Sequence, residues 1–426
     1  MEHGAEIRQH LFSLVTRGIK YDLERMNAAV EASGRPQDAY PCFHVAGTNG
    51  KGSICSYLES SLRSCGFKTG LFTSPHLVRF EERFMIDGRP VRETAWLEVY
   101  HDLQPIITKC RLTFFEASTL MAFEIFRREK VEWAVFEAGL GGRLDATNVV
   151  VPAVSIISRI AMDHMDYLGN DLASIASEKL GIVKRGVPLI AAQPESQAIK
   201  ALIAGRCDEI GTSCRFVCDA DAADCAIDPH GASFTWDNNR YRINLPGDYQ
   251  VTNALLALSA LEAAHADFND RGAVARGFEN AWLPARFQTL VVRDRNVVFD
   301  VGHNPDAVGA FCHSLQSAFK GRSVCCVLGI MKDKDIAGMM EHYAAVARRL
   351  ICTAPATGRA AGPEHLKNHV PDTFKGVCEV AATVASAVET AFKSPEQIIC
   401  IAGSFFTVGE AMEYLHIDPW ESRKTP

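Results

Sequence analysis

Short apolar runs rich in β-branched and aromatic residues alternate with longer amphipathic segments along most of the chain. In the first half, this pattern predicts a series of strands and helices. The predicted strands are 41–46, 68–72, 133–136, 153–158 and 187–191, and the predicted helices are 23–33, 53–65, 93–109, 115–128 and 171–184. Alternation of this kind is typical of βαβ units around a parallel sheet.

The pattern changes at residue 214 and then returns to the α/β theme. A β-hairpin is predicted with strands 233–236 and 241–245, followed by a helix at 249–264. A second series then begins, with strands 297–301, 324–328, 350–353 and 397–401 and helices between them. Since 426 residues exceed the size of one typical domain, we expect two domains, at 1–288 and 289–426.

Charge and composition exclude several classes of protein. The chain has 44 Lys and Arg residues against 51 Asp and Glu residues, a net charge of −7 without like-charge blocks, so nucleic acid and anionic membranes are poor candidate partners. No apolar run reaches the roughly 18 residues of a membrane helix, and the first 20 residues lack the apolar core of a secretion signal. We therefore expect a cytoplasmic protein with no membrane partner.

The 14 cysteines include no Cys-x-x-Cys pair. The four cysteines between residues 207 and 225 do not have the spacing of a zinc ribbon or finger. We expect reduced thiols.

The strongest local motif is Gly47-Thr48-Asn49-Gly50-Lys51-Gly52-Ser53, a glycine-rich turn between a strand and a helix. Its backbone N–H groups and the helix N-terminus favour phosphate oxygens, Lys51 can neutralise their charge, and Ser53 can meet Mg²⁺. Because Gly52 separates the lysine from the hydroxyl, the match to the common phosphate-binding loop is imperfect. An ordinary glycine-rich turn is the alternative.

Polar residues also follow three other apolar strands. Glu137 ends one strand and is a candidate Mg²⁺ ligand, although a helix cap or an ion pair would explain it equally well. His164 follows the next strand and can bind a divalent ion, with surface polarity as the alternative. In the second series, Asp300 and His303 follow a strand, and Asn304 is predicted to cap the next helix.

Seven segments together resemble the folylpolyglutamate synthase/dihydrofolate synthase branch of the Mur ligase superfamily. They occur in the family's order, and even the extra Gly52 is the family's form. The segments are 47–53, 73–77, 137–148, 163–169, 178–179, 284–287 and 300–305. The resemblance implies an α/β fold, with a P-loop-type Mur ligase central domain around a parallel sheet and a smaller Rossmann-like C-terminal domain.

The resemblance also implies an ATP-dependent ligase that adds L-glutamate to folates, or to dihydropteroate, through an acyl phosphate. It implies two Mg²⁺ ions, N6-carboxylysine at position 179, and a monomer. The residues implied for each role are Lys51, Lys179 and His303 for catalysis; Thr48, Asn49, Gly50, Lys51, Gly52, Ser53, Asn253, Arg286 and Asp300 for ATP; Ser74, Glu137 and His164 for metal; Thr113, Phe114, Phe115, Glu116, Leu144, Asp145 and Ala146 for the pterin; and Ser404 near glutamate.

Two departures from the family pattern stand out. Lys20-Tyr21-Asp22 replaces an Asp-Leu-Gly element that supplies the dihydropteroate site of bifunctional members. The resemblance therefore implies activity on dihydropteroate less strongly than activity on folates. Ala285 replaces a glycine that is usual before the arginine, and we expect no effect. The competing hypotheses are a Mur-type ligase for another acid, such as a peptidoglycan precursor, and a nucleotide-binding regulator without ligase activity.

Overall fold

Two largely parallel sheets, of eight and six strands, organise the protein. The computed structural model describes residues 2–18, 22–228, 230–264, 268 and 270–421. The predicted α/β fold is confirmed. No helix among these residues is both long and apolar enough to cross a membrane.

The eight-stranded sheet lies in the first part of the chain and has the order β4-β3-β2-β5-β1-β6-β7-β8. All neighbours are parallel except the pairs β2–β3 and β3–β4. Its strands are β1 (Cys42–Ala46), β2 (Thr69–Phe72), β3 (Phe84–Ile86), β4 (Arg89–Pro90), β5 (Trp133–Glu137), β6 (Val154–Ile157), β7 (Leu189–Ala192) and β8 (Cys214–Val217).

Ten α-helices among the described residues belong to this part of the chain, and they cover both faces of the sheet. They are α1 (Glu2–Ser13), α2 (Glu24–Ala32), α3 (Lys51–Ser64), α4 (Glu93–Lys109), α5 (Phe114–Arg128), α6 (Met165–Leu168), α7 (Leu172–Lys179), α8 (Gln197–Ile210), α9 (Tyr249–Ala263) and α10 (Arg271–Glu279). One apolar core lies between the sheet and α3, α9 and α10, and another lies under α1, α2, α4 and α5.

Strand β1 lies between β5 and β6, so the chain crosses from one side of β1 to the other after β5. The loops after these three strands therefore open at a topological switch point. In open α/β sheets, ligands bind at the carboxyl ends of the strands at such a point. This topology positions the glycine-rich turn beside the loops after β5 and β6.

A small antiparallel sheet packs against the core beside α9. It consists of β9 (Ala223–Asp228), β10 (Gly231–Trp236) and β11 (Asn239–Ile243). The predicted hairpin is confirmed, and its turn residues Asp237 and Asn238 both have positive φ, as a two-residue hairpin turn requires. The exposed β9 was not predicted, and β8, which lies in the same region, is an edge strand of the large sheet.

The six-stranded sheet forms the second domain and has the order β12-β13-β17-β14-β15-β16, with only β12 antiparallel. Its strands are β12 (Gln288–Val292), β13 (Arg295–Asp300), β14 (Val324–Leu328), β15 (Arg349–Cys352), β16 (Val377–Val380) and β17 (Ile398–Ala402). Its helices are α11 (Pro305–Ala318), α12 (Ile336–Val346), α13 (Pro363–Lys367), α14 (Val384–Lys393) and α15 (Phe405–Tyr414). Separate cores cover its two faces.

The observed elements differ from the predicted ones where tertiary contacts override local pattern. The α-helix predicted at 171–184 ends at Lys179 and continues as a 3-10 turn at Leu180–Ile182, and the Arg143 N–H donates to the Glu178 carbonyl at 2.7 Å near this end. The sequence predicted neither β12 nor β16, and it predicted one helix in the interval where both α13 and α14 form. Strand β12 begins at Gln288, one residue before the predicted start of the second domain.

Candidate active site

A cavity of about 910 Å³ lies between the carboxyl ends of the two sheets. It contains every predicted ATP, metal and catalytic residue. These are Thr48, Asn49, Gly50, Lys51, Gly52, Ser53, Ser74, Glu137, His164, Lys179, Asn253, Arg286, Asp300 and His303. Residues separated by more than 250 positions in sequence thus share one cleft.

The glycine-rich turn is fixed to the loop after β6. The backbone N–H groups of Thr48 and Asn49 donate to the Arg159 carbonyl at 2.8 and 3.3 Å, and the Thr48 hydroxyl donates to the Ala161 carbonyl at 3.0 Å. Helix α3 starts at Lys51, so its first N–H groups have no intrahelical acceptor and face the cleft with the positive end of the helix dipole. These groups can bind an anion.

Lys51 places a positive charge over the turn, and Gly50 allows a close approach of α9 to it. The Lys51 ammonium donates to the carbonyls of Gly47 and Thr48 at 3.2 and 3.1 Å, so its charge lies over the turn. Gly50 has a φ of 92°, and a Cβ there would lie 2.4 Å from Oδ1 of Asn253. Only glycine permits this approach of α9 to the turn.

Asn253 is part of a buried polar chain that reaches the start of α3. Its Nδ2 donates to Oε1 of Gln250 at 3.1 Å, and Nε2 of Gln250 donates to the Ser53 hydroxyl at 3.1 Å. The sequence did not identify Gln250. It fixes the positions of two predicted nucleotide residues that belong to different helices.

Glu137 presents a buried carboxylate to the cleft. Its burial raises its pKa, and the positive charges of Lys51 and Arg286 oppose that rise. The backbone N–H of Ser74 donates to Oε2 at 3.3 Å. Within the described part of the chain, Glu137 neither caps a helix nor forms an ion pair, so its oxygens can bind a hard cation such as Mg²⁺.

Asp163 is the centre of the contacts between the two domains. Its Oδ1 accepts from the Lys334 ammonium at 2.6 Å, and its Oδ2 accepts from Nδ2 of Asn304 at 3.1 Å and lies 3.5 Å from Nε2 of His303. Burial alone would raise the pKa of Asp163, but the His303 hydrogen bond and the charges of His164, His303 and Lys334 hold it well below its usual range. Asp163 is therefore a carboxylate at neutral pH.

A second set of contacts joins the domains beside Asp163. The side-chain amides of Asn49 and Asn304 donate to each other at 3.1 and 3.0 Å. Asn49 also donates to Oδ2 of Asp306 at 2.8 Å, and Arg159 forms an ion pair with the same carboxylate. The side chain of Asn49 thus binds the other domain.

His164 lies next to Asp163 with a left-handed backbone φ of 52°. Burial lowers its pKa to about 4, and the Lys334 charge adds to this effect, so its imidazole is neutral at neutral pH. Asp163, His164 and His303 have ligand atoms within 4.8 Å of one another, a spacing that can hold a metal ion. Ser74 and Glu137 lie in the same cleft but outside this group.

Lys179 has an unusual environment for a lysine. It is 3% exposed, and its ammonium donates to the Gly47 carbonyl at 2.8 Å. Burial and the nearby Lys51 charge lower its pKa to about 7. A large fraction of the amine is therefore unprotonated at neutral pH, as nucleophilic lysines require.

Asp300 and Arg286 line the cleft where the chain enters the second domain. Asp300 accepts from the N–H groups of Phe287 and Gly302 at 3.0 and 2.8 Å, and burial raises its pKa. The Arg286 guanidinium lies 5.2 Å from the Phe405 ring. Ala285 has a φ of 56°, which explains why glycine suits this position and implies about 1 kcal/mol of strain for alanine.

The segment expected to bind the pterin lies outside the cavity lining. Thr113 caps α5 and forms a reciprocal capping box with Glu116. Phe114 packs on Phe12, and Phe115 contacts Gly139, where an added Cβ would lie 2.5 Å from the ring. Both rings are half-buried, so they combine core packing with partial exposure near the cleft.

Two other predicted residues, Asp145 and Ser404, form hydrogen bonds that stabilise their own segments. Both carboxylate oxygens of Asp145 accept bonds from its own loop, from Leu140 N–H at 2.8 Å and Thr147 N–H at 3.0 Å. Neighbouring Leu144 is half-buried and Ala146 is buried. Ser404 is buried and caps α15 by accepting from the Thr407 N–H at 3.2 Å.

The sequence motifs did not identify Lys334 or the connecting role of Asp163. Asp163 precedes His164 directly, but adjacency does not reveal that it faces another domain. Lys334 lies in a charged run, 332–335, which is a pattern typical of exposed loops. Lys20 and Tyr21 of the first departure lie outside the described residues.

Comparisons with known proteins agree with this architecture. The model of the Mur ligase middle domain matches residues 45–261, and that of the Mur ligase, glutamate ligase domain matches residues 285–405. The chain is 36% identical over 415 residues to an Escherichia coli dihydrofolate synthase/folylpolyglutamate synthase, covering 95% of this chain and 94% of that protein.

Solved structures give the same result. The folylpolyglutamate synthase of Mycobacterium tuberculosis complexed with ADP is 29% identical, with a TM-score of 0.90 over 98% of this chain and 100% of that one. A bifunctional folylpolyglutamate synthase/dihydrofolate synthase of Yersinia pestis, complexed with AMPPNP and Mn ion, is 30% identical, with a TM-score of 0.85 over 97% of this chain and 98% of that one.

The lowered pKa of Lys179 predicts a pH-dependent stability difference. The pKa is about 7 in the folded chain and 10.5 for an ordinary lysine, so between these values the unfolded chain binds more protons and the folded state gains stability as pH rises. In CO₂-free buffer, wild-type stability should rise relative to Lys179→Met by up to about 1.4 kcal/mol per pH unit. Urea unfolding of both proteins at about pH 7 and about pH 9 measures this. An unchanged difference would mean that Lys179 stays charged.

Proposed function

The chain belongs to the Mur ligase family, in its dihydrofolate synthase/folylpolyglutamate synthase branch, and on this basis we propose how its cleft joins L-glutamate to a folate. It is an ATP-dependent ligase. The acid carboxylate attacks the γ-phosphorus of ATP, which releases ADP and forms an acyl phosphate. The amine of glutamate then attacks the acyl carbon, loses a proton, and displaces phosphate to leave an amide.

The observation that carries this proposal is one cleft that joins an anion-binding turn, a buried carboxylate and a partly neutral lysine. The N-terminus of α3 and Lys51 would hold the triphosphate. Asn253 from the first domain, with Arg286 and Asp300 from the entrance to the second, would hold the rest of the nucleotide. Positioning and charge neutralisation would supply most of the rate, as in other phosphoryl transfers.

The donor set fits divalent metal ions. Glu137 and the Ser74 hydroxyl offer oxygens next to the turn, and His164 offers a neutral imidazole beside Asp163. We propose that Ser74, Glu137 and His164 would hold two Mg²⁺ ions. When bound, such ions neutralise the charge on the phosphate and acyl oxygens.

We propose that Lys179 reacts with CO₂ to form N6-carboxylysine, with loss of one proton. The reaction needs a neutral amine, and the burial that lowers the Lys179 pKa to about 7 supplies one. The resulting carbamate would place an anion near Lys51. It would replace the repulsion between buried Lys179 and half-buried Lys51 with an attraction.

The second domain would contribute His303 to catalysis, because its imidazole lies beside Asp163 at the cleft. The pterin would lie against Phe114, Phe115 and Leu144 at the edge of the first domain, with glutamate near the second domain. Ser404 would influence the glutamate site only indirectly, by capping the first turn of α15. The boundary at residues 288 and 289, the monomeric state and the cytoplasmic location stay predictions.

Mass spectrometry of the products tests the ligase. With ATP, Mg²⁺ and L-glutamate, tetrahydrofolate should gain glutamate while ADP forms in equal amount, and product from dihydropteroate would add the second activity. Lys51→Met should lower the rate at least about 100-fold, because a charge at the phosphates is lost. The exposed Lys320→Met should not. ADP formation without any glutamylated product would contradict the proposal.

A separate experiment tests the carbamate. Protein equilibrated with ¹³C-bicarbonate should show a carbamate signal by ¹³C NMR that is absent in Lys179→Met. Lys184→Met is the matched control, because Lys184 is also largely buried with a lowered pKa but donates to the Asn148 carbonyl outside the cleft. A signal that survives Lys179→Met, or none in the wild type, would refute the carbamate and leave the ligase proposal intact.

A further inference from the structure

Lys334 of the second domain reaches into the first domain at the candidate metal group. Its ammonium lies 2.6 Å from Oδ1 of Asp163 and 3.4 Å from Nε2 of His164. Its side chain is only 6% exposed, although it belongs to the loop between β14 and α12, where a charged run is normally solvated. A buried ammonium at this position needs the carboxylate of Asp163 as its partner.

The direction of the hydrogen bond between Lys334 and His164 shows that Nε2 of His164 is the acceptor. An ammonium has donors only, so Nε2 of His164 must accept from Lys334. The lone pair on Nε2 is therefore directed at Lys334. A divalent ion bound to Nε2 would need the same lone pair, so the ion and the Lys334 ammonium cannot both bind it.

Electrostatics strengthen this competition. Besides Lys334, the positive or ionisable groups around Asp163 and His164 include His303, Lys51 and Lys179. Asp163 is the nearby anion, and Lys334 already neutralises it. Adding two further positive charges next to an unmoved Lys334 would be strongly unfavourable in a buried site.

The loop that carries Lys334 is attached to its own domain. The Lys332 N–H donates to the Arg359 carbonyl at 2.9 Å, and Met331 forms a β-bridge with Ala360. The Lys332 ammonium donates to the Gly358 carbonyl at 3.0 Å, away from the cleft. Release of Lys334 from Asp163 therefore removes a contact between the domains.

We propose that Lys334 is an internal cation that occupies the divalent-ion position at His164 and is exchanged for the ion. The exchange couples metal loading to the position of the second domain. This inference rests on the proposed function in one respect, the use of His164 as a metal ligand. Lys334 is a positioning residue here, since it acts through His164 and Asp163.

Metal affinity tests the exchange directly. Mn²⁺ alone is titrated into wild type, Lys334→Met, Lys334→Arg and Lys332→Met, and free Mn²⁺ is measured by electron paramagnetic resonance. Methionine keeps the apolar stem and removes the charge, so Lys334→Met should bind Mn²⁺ at least about tenfold more tightly. Lys334→Arg and the matched control Lys332→Met should resemble the wild type.

Amine labelling of the wild-type protein gives a second readout that needs no variant. With a succinimidyl ester followed by peptide mass spectrometry, Lys334 should be poorly labelled without metal and several-fold more reactive with saturating Mn²⁺. The exposed Lys332 should label equally in both conditions.

Unchanged or weaker Mn²⁺ affinity in Lys334→Met would overturn the exchange, and so would Lys334 labelling that does not respond to bound Mn²⁺. Circular dichroism of each variant separates misfolding from these outcomes. Glutamylated product from the wild type, measured separately, distinguishes failure of the exchange from failure of the proposed function.

Discussion

Asp163 is the buried carboxylate at the centre of the polar contacts that position the two domains around the cleft. It follows β6 of the large sheet, yet Lys334, Asn304 and His303, which surround it, all belong to the second domain. A buried charge without partners is strongly destabilising, so Asp163 is stable in this position only while the second domain stays docked. The cleft therefore depends on a contact that is electrostatic and reversible, which suits an enzyme whose site must open to exchange nucleotide and product.

The chemistry of the cleft follows from burial at the carboxyl ends of the strands. Glu137 and Lys179 have opposite charges when ionised. Burial raises the pKa of Glu137 and lowers the pKa of Lys179, so it favours the neutral form of both. The large sheet thus presents a carboxylate that benefits from a cation and an amine that loses its proton easily. Lys51 lies close to both. In the proposed function, ATP, metal ions and CO₂ would supply the charges that this site lacks, so a chain of modest net charge could bind highly charged substrates.

The sequence predicted most of the regular elements and the local site motifs, because their determinants are local. Apolar strands that end in glycine or a polar residue identified the turn at 47–53 and Glu137, and the resemblance added Lys179 and Asn253. The edge strands β9 and β16 escaped prediction since exposure on one side weakens the apolar pattern. Lys334 and the role of Asp163 escaped for a different reason. Their meaning depends on a contact between residues 171 positions apart, which no local pattern encodes.

Small-angle X-ray scattering of an Asp163→Ala variant tests the central claim most directly. Loss of this carboxylate removes the partner of Lys334 and His303, so the contact between the domains should weaken, and the radius of gyration should increase while the circular dichroism spectrum stays unchanged. The matched control is Asp166→Ala, which removes an exposed carboxylate from the same segment and should scatter as the wild type does. An Asp163→Ala variant with the wild-type radius of gyration would contradict the claim that the arrangement of the domains depends on Asp163.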